Sequence, residues 1–84
     1  MIFVDTAAWI ARFSRRDQYH AEATRLWVQV LSAGQRIVTN DAVFFETLAL
    51  LARKIGPNAA AEAGRFLIGW SHLQIQPLPS RRDK

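Results

Sequence analysis

Two carboxylates stand in settings where chemistry is possible. Asp5 closes the apolar run Ile2-Phe3-Val4, and Glu46 lies inside the apolar stretch Ala42-Val-Phe-Phe-Glu-Thr-Leu-Ala-Leu-Leu-Ala52. Acids brought together from separate elements suit a hard cation, because Mg²⁺ keeps several waters and takes only one or two protein carboxylates besides phosphate oxygens. A cation held in this way supports hydrolysis of a phosphodiester with no Ser, Cys or His nucleophile. No such nucleophile stands in a recognisable setting in this chain.

Each acid also has a plainer reading. Asp5 follows a strand-like run and precedes a helix-like one, a position where ligands bind at the carboxyl ends of parallel strands. Aspartate is equally a good helix N-cap, with Thr6-Ala7-Ala8 as the first turn. Glu46 is more informative. Its helical neighbours three and four residues away are Ala42, Val43, Ala49 and Leu50, so no adjacent base offsets its charge. A carboxylate on so apolar a helix needs a route to solvent, a distant arginine or a cation. The plainer reading puts it on a narrow wet face shared with Arg53. Asp41, at the start of the same helix, reads first as an N-cap and second as an accessory acid. Thr6 and Thr39 sit at strand ends, where a hydroxyl can orient a carboxylate or simply cap a turn.

Other candidates are weaker. His20 and His72 lack the close spacing of a zinc site. Gly34, Gly56, Gly64 and Gly69 fit no phosphate-cradling pattern. Trp9, Trp27 and Trp70 have the spacing of core residues, while Trp9 and Phe13, four apart on a short helix, offer a second reading as the wall of a partner-binding groove.

The elements that must position these residues follow from periodicity. Residues 2–4 read as a strand buried on both faces, and residues 6–13 as a short helix. Residues 19–33 form an amphipathic helix with Ala23, Trp27, Val30 and Leu31 as its apolar stripe, and Gly34 stands at its C-terminal cap. Arg36–Thr39 is a second strand, after which Asn40 or Asp41 caps a helix reaching about Ile55. Gly56-Pro57 separates it from a helix over residues 58–70. Residues 73–76 alternate like a strand that Pro77 and Pro79 stop, and residues 80–84 read as a tail. Strands alternating with helices in this order predict an α/β fold, with a parallel sheet in a three-layer α/β/α arrangement.

Composition bounds the rest. The chain has 84 residues, 50% hydrophobic and 21% charged, which suits a single globular domain. It contains no cysteine, which excludes disulfides and thiolate metal sites. Asp5 interrupts the N-terminal apolar run too early for a signal peptide, and no run reaches membrane-spanning length. A cytoplasmic protein is expected. The formal net charge of +4 permits a nucleic-acid partner, and is equally that of an ordinary basic surface.

Met1-Ile-Phe-Val-Asp-Thr-Ala-Ala-Trp9 is similar to the opening strand of VapC-type PIN domains, and residues 37–48 resemble their second strand and glutamate-bearing helix. The order and spacing agree along the chain. The resemblance implies a Mg²⁺- or Mn²⁺-dependent ribonuclease, in many members the toxin of a toxin–antitoxin pair, dimeric and inhibited by a small antitoxin. It would make Asp5 and Glu46 catalytic metal ligands, Thr6 an accessory group, and Asp41 an outer acid. Two departures stand out. Ala7 replaces a small hydroxyl residue frequent in the family, and the family's later aspartates lie beyond its third strand, where Asp83 does not match them. The expectation is therefore a single, incomplete PIN-like domain over residues 1–84, cut after the third strand. Its first strand would be an apolar edge inviting self-association. Two functional readings follow: an RNA-cleaving toxin, or a non-catalytic remnant that binds an antitoxin or a full-length toxin. A generic basic nucleic-acid-binding module ranks below both, since no known reading motif is present.

Overall fold

Residues 1–77 are described by the structure, a computed structural model. Three strands and four helices alternate: β1 (Ile2–Phe3), α1 (Thr6–Phe13), α2 (His20–Ser32), β2 (Ile37–Asn40), α3 (Asp41–Lys54), α4 (Pro57–Gly69) and β3 (Leu73–Gln76). The expected tail over residues 80–84, with Pro79 and Asp83, lies outside the described residues. Among the described residues, no helix is long and apolar enough to cross a membrane.

The sheet is parallel throughout, in the order β1-β2-β3. Ile2, Ile37 and Leu73 lie in register, as do Phe3, Val38 and Gln74. Because side chains alternate along a strand, these two rows face opposite sides of the sheet. The first row, with Val4 and Ile75, joins the core built around Trp9, Ile37, Phe44 and Leu67, which also takes in Trp27 and Val30 of α2. Helices from both crossovers therefore pack on one face. The physical reason is handedness: crossovers of one hand that step in one direction deposit their helices on the same side.

The α/β fold with its parallel sheet is the expected one, and residues 1–77 supply two of its layers. On the far side of the sheet Phe3 is 52% exposed and Gln74 is exposed, while Val38 between them is buried. The expectation that residues 2–4 are covered on both faces does not hold within these residues. β1 is an edge strand whose ladder spans two residues.

A second cluster (Ile10, Leu51, Ala60 and Ala63) joins α1, α3 and α4. Here α4 approaches closely, since a methyl group on Gly64 would come within 3.3 Å of Leu48 Cδ1. By contrast α2 buries no residue completely, and Leu31, expected in its apolar stripe, is 42% exposed. Gly34 adopts φ 70° just past α2, as its position predicts, and Gly56 at φ 132° turns the chain into Pro57.

Candidate functional site at the strand ends

Two adjacent strand ends bring the site together. β1 and β2 are adjacent and parallel, so their carboxyl ends share one edge, and α1 and α3 begin directly beyond them. Val4 N–H donates to the Val38 carbonyl at 2.9 Å, extending the pairing to the residue before Asp5. Thr39, 1% exposed, turns its hydroxyl onto the Val4 carbonyl at 3.0 Å. That bond ties the two strand ends together, so Thr39 braces the backbone rather than orienting a carboxylate.

Asp5 is the N-cap of α1. Its Oδ1 accepts a hydrogen bond from Ala8 N–H at 3.1 Å, and its backbone is extended, as capping requires. Capping does not exhaust the group, because a carboxylate has two oxygens and about four acceptor positions. Asp5 is exposed and keeps an oxygen for another partner.

The adjacent residue makes the central contact. Thr6 Oγ1 donates to Glu46 Oε1 at 2.8 Å, across forty positions of sequence. Glu46 is thereby bonded to the residue that directly follows Asp5 in the chain. This corrects the reasoning that first singled out Glu46. The stretch around it is not apolar because it is buried all round: Phe44, Thr47 and Leu51 form the buried face of α3, while Ala42, Phe45, Glu46 and Ala49 are exposed. Glu46 therefore has a route to solvent. It forms no ion pair with Arg53; among the described residues the only one is Arg25 with Glu22, at 3.9 Å.

Asp41 occupies a different place from the one its sequence position suggested. Asn40 is the N-cap of α3, with Oδ1 accepting from Val43 N–H at 2.9 Å, and Asp41 falls in the first turn. Asp41 Oδ1 is buried and has no hydrogen-bond partner among the described residues. A negative group there is favoured by the partial positive charge of the helix start.

The donor set suits a hard cation of low protein coordination. Asp5 and Glu46 each retain acceptor capacity, and Thr6 links the helix that Asp5 caps to Glu46; Mg²⁺ takes only one or two carboxylates from a protein. Among the described residues, no three His, Cys, Asp or Glu side chains gather at one metal position, so Asp41 does not complete a triad. The histidines are elsewhere: His20 Nδ1 lies 2.8 Å from the Ala11 carbonyl and His72 packs edge-on to Trp70.

The aromatic candidates divide. Trp9 is 1% exposed and stacks in the core between Phe13 and Trp27, so it is not available to a partner. Trp27 and Trp70 belong to the same packing. Phe13 is half-buried and lines an open cavity of about 300 Å³ with Leu51, Ile55, Ala63 and Phe66, away from Asp5 and Glu46.

Comparison with known proteins agrees with the fold. The model of the PIN domain matches residues 2–83. The 23S rRNA-specific endonuclease VapC20 of Mycobacterium tuberculosis, in two strains, is 41% identical over 63 residues, which are 75% of this chain and 46% of that protein. The chain thus spans about half the length of the curated relatives it matches. The crystal structure of M. tuberculosis VapC20, described as a sarcin–ricin loop cleaving toxin, superposes with a TM-score of 0.81 at 29% identity, over 95% of this chain and 58% of that one.

Proposed function

The chain belongs to the PIN-domain family, and on that premise we propose that it is the site-bearing part of a metal-dependent ribonuclease toxin acting on structured RNA in the cytoplasm. The observation that supports the reading is the Thr6–Glu46 hydrogen bond, which ties a second carboxylate to the residue following Asp5. Likeness to VapC20 supports an RNA substrate with a loop at the cleavage point.

In this reading Asp5 and Glu46 hold a Mg²⁺ or Mn²⁺ ion, which when bound supplies Lewis acidity toward the phosphodiester and a more acidic water. The chain's own residues do the positioning. Thr6 holds one oxygen of Glu46 and so restricts its rotation, leaving the other oxygen directed by that constraint. Asp5 is held by its cap bond to Ala8. The starts of α1 and α3, both beyond the sheet edge, present backbone N–H groups and positive dipole ends that favour a phosphate over a neutral group. Asp41, in the first turn of α3, is an outer acid whose charge raises the attraction for a cation.

Asp5→Asn separates ligand from cap, because asparagine caps as well as aspartate while losing the charge. Calorimetric titration with Mn²⁺ should show binding to the wild type and at least tenfold weaker binding to Asp5→Asn, with the two melting temperatures close together. Equal, negligible binding in both proteins sinks the metal assignment.

A second reading is favoured by one observation, the apolar cavity at Phe13 with Phe66 48% exposed beside it. Here the chain binds an antitoxin or another toxin chain and does not turn over. RNA cleavage that EDTA abolishes supports the enzyme; partner binding without any cleavage supports the remnant.

A further inference from the structure

We propose that Phe45 is a stacking platform for an unpaired RNA base, and so a substrate-binding residue beside the proposed cleavage site; the inference rests on the ribonuclease reading. Phe45 immediately precedes Glu46 and is 65% exposed, the most open aromatic ring on α3. An exposed phenylalanine next to a charged centre gains nothing from the core. Its ring is nevertheless held: Phe44, 7% exposed, meets it edge-on with centroids 5.3 Å apart and planes at 70°. Phe44 is buried and so anchors Phe45, whose ring stays 65% exposed.

The surface between ring and carboxylate is clear. Ala42 stands three residues before Phe45 and four before Glu46, and so lies between them on the helix surface with only a methyl group. Helical side chains lean toward the N-terminus of their helix. Phe45 and Glu46 therefore both lean toward the strand ends where Asp5 stands. A phosphodiester at the carboxylates would have a neighbouring base within reach of the ring. Single-stranded loops are read in this way, with splayed bases stacked on aromatic side chains, and the contact tolerates any base because each has a π-face.

The test uses a hairpin RNA carrying one 2-aminopurine in its loop, in EDTA so that nothing is cleaved, with the same hairpin made abasic at that position as control. Affinity for both is read by anisotropy of a fluorescein on the 5′ end, and stacking by 2-aminopurine emission. Phe45→Ala should weaken the 2-aminopurine hairpin by about 5- to 100-fold. It should also remove the quenching that stacking produces, and Phe45→Trp should restore both. On the abasic hairpin, wild type and Phe45→Ala should bind alike. Equal affinity of wild type and Phe45→Ala for the stacked hairpin overturns the inference while leaving the nuclease reading intact. So does an equal loss on both hairpins, which would mark a packing or subunit-contact role. A wild type that binds no hairpin overturns the stacking, and if it also binds no Mn²⁺ the nuclease reading falls with it.

Discussion

Thr6 is the residue on which the site's geometry turns. Its hydroxyl makes the one hydrogen bond to Glu46 found among the described residues, and it belongs to the first turn of the helix that Asp5 caps. An exposed hydrogen bond of this kind contributes little to folding, on the order of 1 kcal/mol or less. Its value lies in orientation, and groups that orient a metal ligand typically matter about 10- to 100-fold in affinity or activity. Thr6→Val should therefore lower Mn²⁺ affinity by about tenfold with little change in melting temperature, and Thr6→Ser should recover most of the loss. Unchanged affinity in Thr6→Val would reduce the bond to a surface contact. Asp5 illustrates why sequence left two readings open at one position. The cap uses one oxygen of the carboxylate and a bound ion would take the other, so the readings do not compete.

At the scale of elements, the start of α3 carries the most consequence. Asn40 ends β2, caps α3 and places Asp41 and Glu46 relative to the sheet edge. Asn40→Ala should cost about 1 kcal/mol by removing the cap. Thermal or urea unfolding would measure it, and a loss well below half that value would show Asp41 or solvent taking over the N–H groups. Helix and strand positions were largely legible, because periodicity, Gly34 past α2 and the Gly56-Pro57 step are local signals. Which of two adjacent polar residues caps α3 was not. Asn40 and Asp41 have nearly equal capping chemistry, and only the point at which β2 releases the chain decides between them. The face of α3 was misread for a related reason. Ala42, Phe45 and Ala49 are apolar yet exposed, so composition overstated how deeply Glu46 is set.

For the whole molecule, the one-sided packing of helices is the decisive property. Phe3 lies 52% exposed on the sheet face opposite the helices, and β1 has no neighbour on its outer side among the described residues. An apolar edge strand is a template for pairing with another chain. The 84-residue chain should therefore self-associate in light scattering or sedimentation at micromolar concentration, and Phe3→Glu should shift it toward monomer. A monodisperse, thermally stable wild-type monomer would contradict this. The same topology explains the site's location, since open α/β sheets bind ligands beyond the carboxyl ends of their strands.

Taken alone, the sequence determined the alternation of strands and helices, the parallel sheet, and Asp5 and Glu46 as the acids worth following. These rest on local patterning and on the position of a carboxylate at the end of an apolar run, both readable without contacts. Only the tertiary structure decided what Glu46 touches. The contact between Thr6 and Glu46 spans forty residues and exists because adjacent parallel strands end together and release two helices side by side. It also moved Trp9 from candidate partner surface into the core and brought Phe45 into view. A residue's side of a helix depends on what packs against that helix, and nothing within the helix itself specifies it.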